Sequence, residues 1–372
     1  MNYCIHRIYA MNRSIFLAVS AGAAYFGYRA LVDYTEEESH ANTCCVALPS
    51  QIDEGYRLNR TGLFLYTREW APKEEHLYPS LSSSPSSPSS SSSSPEFTPS
   101  APELTCVTMT TPPRKAKGVV FIVHGMAEHC NRYSHVAALF NALGFYVHSL
   151  DNQGFGRSQG DRAYARSFND FIDDYYDFVN ETMLKYEENT PMFLVGHSMG
   201  GLIGYQVAAR QPERWAGVIF SGFCYKLPPH VAPPHLKFVA AGLSSWLPKG
   251  SLPVSTLNLD EICSDPSVVQ HARDDQWYEK GPVSFRLASE LFTTIDNLPN
   301  VTPSAKFPVL FMHGKDDVIC LPEGSEFLYS SHPHEDREIH IFDKMFHEIF
   351  NEFEKDQVMT IMSKWVLART PK

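Results

Sequence analysis

Several things that common functions require are scarce in this chain. Its 31 Lys+Arg stand against 42 Asp+Glu, a formal charge of −11. Without clustered cations nothing is available to neutralise a phosphate backbone, so nucleic acid is excluded as a partner. Eight cysteines (Cys4, Cys44, Cys45, Cys106, Cys130, Cys224, Cys263, Cys320) are scattered with no Cys-x-x-Cys spacing, which fits neither a zinc site nor a dense disulfide framework. Cys224 reads as a small buried apolar group. His124 and His129 lack a third ligand at zincin spacing, which leaves both a structural role. The Gly-rich stretch Asp151–Gly160 follows a strand, but Gln159 occupies the third glycine position of a dinucleotide fingerprint and no helix opens at once. It is read as a tight loop instead. No metal and no organic cofactor is expected. An unbroken long hydrophobic run is also missing: Ser14 to Val32 is apolar but for Arg29, and Ser14 to Tyr28 alone falls short of the about 20 residues that cross a bilayer. Arg29 could extend that length by snorkelling to the interface.

What is present centres on Gly196-His197-Ser198-Met199-Gly200-Gly201. An apolar run of strand length, Pro191 to Val195, precedes it, and Gly201 to Arg210 follows with helical spacing. Strand, Gly-x-Ser-x-Gly, helix is the nucleophile-elbow pattern. A serine projected from the end of a sheet needs a strained backbone, and side chains at the flanking glycines would meet the neighbouring strand and helix. The helix that starts there aims its free amides at any oxyanion formed beside Ser198.

Around this stretch, strands are expected at Val119–Val123, Tyr146–Leu150, Met192–Val195, Val218–Ser221, Val309–Met312 and Glu338–Phe342. Helices are expected around Ser134–Leu143, Phe168–Glu188, Gly200–Arg210, Glu323–Ser330 and His347–Ala368. Tyr56–Asn59 and Leu63–Glu69, with Gly62 between them, read as an opening hairpin. The alternation predicts an α/β chain with a mostly parallel sheet covered by helices on both faces, whose ligands bind beyond the carboxyl ends of the strands. It breaks once, from about Gly222 to Ser304. That stretch has helical segments near Leu236–Trp246 and Pro282–Leu298 with Pro-rich joints, and it is expected over the serine as a lid.

An α/β-hydrolase fold requires nucleophile, acid and histidine in that chain order, the last two on late strand-end loops. Ser198, Asp317 and His347 satisfy it. His347 would take the Ser198 proton during attack and return it to the leaving alcohol, and Asp317 would hold the imidazole tautomer and stabilise the imidazolium. Asp316 is the neighbour; one of the pair faces solvent or caps the next turn. His340 lies inside a strand, and His332 and His334 fall in a polar loop read as a solvated turn. The loop His124-Gly125-Met126-Ala127-Glu128-His129 ends the first parallel strand, so the amides of Met126 and Met199 are the candidate oxyanion donors.

Four segments follow. Residues 1–49 form an amino-terminal membrane anchor or targeting segment: Arg7 and Arg13 precede the apolar stretch, and Asp33 and Glu36 to Glu38 follow it. This charge order leaves the amino terminus cytosolic and the remainder facing a lumen or the outside, with a cleaved presequence as the rival. Residues 50–222 form the first part of the core, interrupted by a Ser/Pro-rich insert at about 76–102 that cannot bury apolar surface. Residues 223–304 form the cap and 305–372 the second part of the core. Asn59, Asn180 and Asn300 begin glycosylation triplets that would count only on a secretory route.

The set His124-Gly125-Met126-Ala127-Glu128-His129 with Arg132-Tyr133, then Asp151-x-x-Gly154-x-Gly156-x-Ser158-x-Gly160, then Gly196-His197-Ser198-Met199-Gly200-Gly201 resembles the monoacylglycerol lipase family of serine hydrolases, with the related lysophospholipases. The resemblance runs from about Glu54 to Leu367. It implies hydrolysis of one acyl chain from glycerol or a similar alcohol, the triad and oxyanion donors named above, a substrate-pocket cysteine at Cys320, and an apolar lid that touches membranes. The partners implied are a lipid ester and a membrane surface, met through the amino-terminal segment and the lid. Ala127 stands where the family has its second loop glycine, and Trp277-Tyr278-Glu279-Lys280 departs from the family where the alcohol site is shaped. The alternative substrates are small soluble esters. A non-catalytic binding protein on the same fold is the alternative of another class.

Overall fold

The computed structural model describes residues 55–72, 113–229, 232–251 and 257–371. The anticipated anchor, the Ser/Pro-rich insert and Cys4, Cys44, Cys45 and Cys106 lie outside the described residues. Among the described residues no helix is long and apolar enough to cross a membrane.

The hairpin is formed by β1 (Tyr56–Leu58) and β2 (Phe64–Trp70), with Gly62 at φ 83° in the turn. Asn59 builds that turn: its Oδ1 accepts from the amides of Thr61 and Leu63 at 3.0 and 2.9 Å, and its Nδ2 donates to Asp174 at 3.0 Å. Buried and bonded in this way, Asn59 is not available for glycosylation in the folded chain.

The main succession is β3 (Val119–Val123), α1 (Ser134–Ala142), β4 (Tyr146–Leu150), α2 (Phe168–Met183), β5 (Met192–His197), α3 (Met199–Arg210) and β6 (Trp215–Ser221). After the cap it resumes with β7 (Val309–Gly314), α7 (Glu323–Ser331), β8 (Arg337–Phe342) and α8 (Lys355–Ala368). The strands stand in the order β1-β2-β4-β3-β5-β6-β7-β8, antiparallel at β1–β2 and β2–β4 and parallel elsewhere. The chain therefore reverses direction across the sheet between β3 and β5, and the crevice at such a reversal is where this architecture binds ligands.

The central strand β3 is apolar on both faces, and its period of two divides the core in two. Val119, Phe121 and Val123 pack with α2 and α3, while Val120 and Ile122 pack with α1 and α8. All five are fully buried, each side chain contributing about 1.5–3 kcal/mol, so β3 is a rigid base for the loop that follows it.

The cap holds α4 (Pro234–Leu243), α5 (Pro266–Asp274) and α6 (Phe285–Val301). The first and last match the expectation within a few residues. The second was not anticipated, although Asp265-Pro266 is a helix-start signal: the Asp265 carboxylate accepts from the Ser267 amide at 2.8 Å and proline takes the first position.

Two other expectations are corrected. The last helix begins at Lys355 rather than His347, because Glu348 and Glu352 turn inward and bond groups of other segments, described below. His332 is not in a solvated turn. It is fully buried, its Nε2 bonds the Phe307 carbonyl at 2.9 Å, and its ring lies 5.1 Å from that of Phe307. Burial holds it near a pKa of about 4, hence neutral.

Candidate active site

Ser198 sits between β5 and α3 with φ 53° and ψ −121°, a conformation that costs a non-glycine residue roughly 1–3 kcal/mol. The flanking glycines make it possible. A Cβ on Gly196 would lie 2.7 Å from the Gly200 carbonyl oxygen, and one on Gly200 only 2.1 Å from that of Val123. The Ser198 amide is tied to the Ser221 carbonyl at 3.0 Å, so the turn is anchored to β6. Met199 opens α3, where the first amides have no acceptor inside the helix.

His347 reaches the same place from the loop after β8. Its ring packs on the backbone just beyond Ser221: a Cβ on Gly222 would be 3.0 Å from Nδ1. Asp317, after β7, is almost fully buried, while Asp316 is exposed. His347 Nδ1 meets Asp317 Oδ2 at 2.7 Å. The other carboxylate oxygen accepts from the amides of Ile319 and Cys320 at 2.8 and 2.9 Å. Burial alone would deprotonate His347, but the Asp317 charge and hydrogen bond outweigh it and hold the imidazole above its ordinary value. Burial likewise opposes ionisation of Asp317, and the His347 charge with the bonds from both histidines overcomes it, so the carboxyl is held far below its usual range.

The loop 124–129 lies against the serine: a Cβ on Gly125 would come within 3.1 Å of Ser198 Cβ. The Asn152 amide donates to His124 Nε2 at 2.8 Å, which leaves His124 Nδ1 to donate to the Gly125 carbonyl at 2.7 Å. Burial lowers this imidazole to a pKa of about 4, so His124 is a neutral strut. His129 Nε2 pairs with Asp275 of the cap at 2.7 Å. Asp151 closes the adjoining glycine loop by accepting from the amides of Cys130 and Arg157, both at 2.8 Å. Gln159 pairs with Phe64 of β2, accepting its amide at 2.9 Å.

Ser198, Met126 and Met199 form the floor of a cleft of about 760 Å³, open mouth included. Cys224, Ile319 and Cys320 form one wall, and Leu236 and Ala240 of α4 with Leu291 and Phe292 of α6 close over it. Cys320 is fully buried, with the Cys224 and Ser198 side chains as hydrogen-bonding neighbours, and its thiol is pushed well above its usual range. A second cleft of about 410 Å³ shares Met126 and is lined by Ala127, Tyr278, Glu279 and Lys280. It is more polar: Glu279 pairs with Arg162 at 2.8 Å and donates its amide to the Ala127 carbonyl at 2.7 Å.

Five residues hold this site together without having been given a role in it from the sequence: Arg132, Glu128, Glu348, Glu352 and His313. Arg132, almost wholly enclosed, pairs with Glu128 at 3.3 Å and with Glu348 at 2.6 Å. Glu128 also accepts from the Gly125 amide and the Tyr133 hydroxyl, each at 2.6 Å. This joins the loop beside Ser198 to the residue after His347. Glu352, fully buried, accepts from the Phe346 amide at 2.8 Å, from the Ser264 amide at 3.1 Å and from the Ser264 hydroxyl. His313 is the fifth. Arg132–Glu348 and Ser264–Glu352, 216 and 88 positions apart, leave no local spacing to read, whereas Glu128–Arg132 and His313–Asp317 stand four apart and could have been noticed.

Residues 114–354 match the family profile Hydrolase_4, described as serine aminopeptidase, S33. The monoacylglycerol lipase of Mycolicibacterium smegmatis is 32% identical over 258 residues, 69% of this chain and 91% of that one. The chain belongs to the monoacylglycerol lipase family of serine hydrolases. The rat monoglyceride lipase is 28% identical over 261 residues, 69% of this chain and 85% of the relative. The crystal structure of Paleococcus ferrophilus monoacylglycerol lipase superposes with a TM-score of 0.63 at 27% identity, covering 69% of this chain and 97% of that one. The fold is accordingly that of the α/β-hydrolases. Against the family's second loop glycine, Ala127 has φ 71°, the left-handed region in which a Cβ is unfavourable. The Glu279 bond to its carbonyl helps hold it there.

Proposed function

We propose that this chain hydrolyses the fatty acyl ester of a monoacylglycerol through an acyl-enzyme on Ser198, with a lysophospholipid as the related substrate. His347 takes the hydroxyl proton as Ser198 Oγ attacks the ester carbonyl. Asp317 keeps the proton on Nδ1, so that Nε2 is the basic nitrogen. The amides of Met126 and Met199 stabilise the oxyanion. His347 then protonates the leaving alcohol and activates a water that releases the fatty acid.

One observation carries this reading. A strained serine forms the floor of a deep apolar cleft whose described lining holds no carboxylate. A peptide amino terminus would require a counter-charge there, whereas an acyl chain requires apolar surface, which this lining supplies. Cys320 would contact the acyl chain next to the scissile bond. The more polar cleft at Glu279 suits the alcohol. The same reading extends to a membrane surface met by the amino-terminal segment and by the cap, where Phe238 and Trp246 are 83% and 89% exposed.

The test is a panel of long-chain monoacylglycerol, lysophospholipid and short-chain nitrophenyl esters, with fluorophosphonate labelling of the wild type and of Ser198→Ala. The expected result is preference for the long-chain monoacylglycerol and labelling that disappears in the variant. Labelling that survives, or preference for the short soluble ester, rejects the assignment.

A further inference from the structure

We propose that His313 is a positioning residue for Asp317: its single imidazole N–H, shared between the Asp317 carboxylate and the Cys320 carbonyl, fixes the plane in which that carboxylate meets His347. The inference rests on the reading of Ser198, Asp317 and His347 as nucleophile, acid and base.

His313 is the penultimate residue of β7 and is fully buried. Its Nε2 lies 3.0 Å from Asp317 Oδ2 and 2.8 Å from the Cys320 carbonyl oxygen. A carbonyl oxygen and an ionised carboxylate can only accept, so the hydrogen is on Nε2. Nδ1, at 2.7 Å from Ser325 Oγ, then accepts the hydroxyl hydrogen of a serine that is itself fully buried. The tautomer follows from the partners.

This completes the set of donors around the acid. Asp317 Oδ1 has the amides of Ile319 and Cys320, and Oδ2 has His347 Nδ1 and His313 Nε2. Without the His313 bond, Oδ2 keeps one donor, and because the two amides hold only Oδ1, the carboxylate plane is less tightly set about its Cβ–Cγ bond. His347 must present Nδ1–H to that oxygen and Nε2 to Ser198 at once, and a carboxylate turned out of plane turns the ring with it. A second effect is electronic. An N–H donated to Oδ2 draws charge from the atom facing His347, so losing it makes His347 more basic. Besides Asp317, the groups around His347 are the His197 ring at 4.7 Å, Cys224, and Glu348 next in the chain; His313 bonds none of them. The same N–H bonds the loop that carries Cys320, so the acid and the wall of the acyl cleft are held by one atom.

The experiment compares His313→Leu, His313→Gln and His313→Asn, with rates normalised to sites titrated by fluorophosphonate. Leucine keeps bulk and removes the donor, glutamine carries an amide N–H out to the Nε2 position, and asparagine is polar but too short. The expected result is a fall in kcat of about 10–100-fold for the leucine variant and at least about 5-fold for asparagine, with KM within about 2-fold. Glutamine should recover kcat to within about 3-fold of wild type. The midpoint of the kcat/KM pH profile should rise in the leucine variant and return with glutamine. Wild-type kcat in the leucine variant overturns the proposal, and so does a glutamine variant no better than asparagine, which remains decisive if the leucine variant does not fold. Ser198→Ala separates the two levels: hydrolysis that it does not abolish rejects the assigned nucleophile, whereas a negative His313 series with Ser198-dependent hydrolysis rejects this proposal alone.

Discussion

Two regions meet over Ser198 and are held by opposite means. The loop from Phe342 to Lys355, which delivers His347, is bound by polar groups out of water. Glu352 takes two amides and a hydroxyl, Glu348 pairs with Arg132 and donates its amide to Ile262 at 2.7 Å, and Asp317 fixes His347 itself. Helix α4 of the cap instead turns Leu236 and Ala240 to the cleft, meets α6 through the Lys237–Asp296 pair at its surface, and leaves Phe238, Val239 and Leu243 exposed. Buried hydrogen bonds are directional and fix one geometry. Apolar contact is non-directional, so an apolar wall accepts occupants of different shape. In the proposed mechanism the base, His347, needs the first kind of support and an acyl chain of variable shape the second.

The sharpest way to break this contrast is at the base. Asp317→Asn and His347→Ala should each lower turnover by about 10³–10⁴-fold with little change in far-ultraviolet dichroism. Near-normal turnover in either would assign the proton transfer elsewhere.

Titration comes next. Activity needs His347 neutral, and the Asp317 pairing raises its pKa, so kcat/KM should rise with pH through a midpoint above the ordinary imidazole value of about 6.5. In Asp317→Asn that midpoint should drop. The pair also contributes to stability with opposite signs. Asp317, depressed in the fold, stabilises above the unfolded carboxyl value of about 4, and this is lost as pH falls through its folded value. His347, raised in the fold, stabilises below about 6.5, and this is lost as pH rises through its folded value. Urea unfolding across pH should therefore find the pair's contribution complete between about pH 4 and 6.5.

A smaller effect separates the two kinds of support. Glu352→Ala leaves buried donors of Phe346 and Ser264 unsatisfied and should destabilise by about 1–3 kcal/mol in urea. Substituting Phe238→Asp with Trp246→Ser should change stability by under about 0.5 kcal/mol. It should weaken adsorption to zwitterionic vesicles about tenfold or more, since each ring would bury about 1.5–3 kcal/mol of apolar surface. Unchanged adsorption would remove the membrane role of the cap surface.

The sequence made some of this legible and not the rest, for reasons visible in single residues. Gly196, Gly200 and Ser198 are adjacent in the chain, and the strain they relieve is local, so the turn can be read from six letters. Asp317 and His347 could be chosen because strand-end loops and chain order restrict the candidates. Arg132 and Glu348 are 216 positions apart, and neither carries any local mark of the other. The error at His347 to Lys355 has the same origin. Helical spacing was present, but Glu348 binds the Arg132 guanidinium and Glu352 the amides of Ser264 and Phe346, and the chain does not continue as a helix there. His332 was misjudged because the polar residues beside it hide that its own ring is folded under Phe307.

The sequence by itself therefore determined the strand and helix succession, the elbow, and the chain order of the candidate triad Ser198, Asp317 and His347, since each depends on neighbours along the chain. Only the tertiary structure decided which imidazole stands on Asp317 from behind, which carboxylates hold the His347 loop, and how the cap closes an apolar cleft over the serine. Those depend on groups that come within bonding distance after the sheet has assembled, when burial removes the water that would otherwise compete for them.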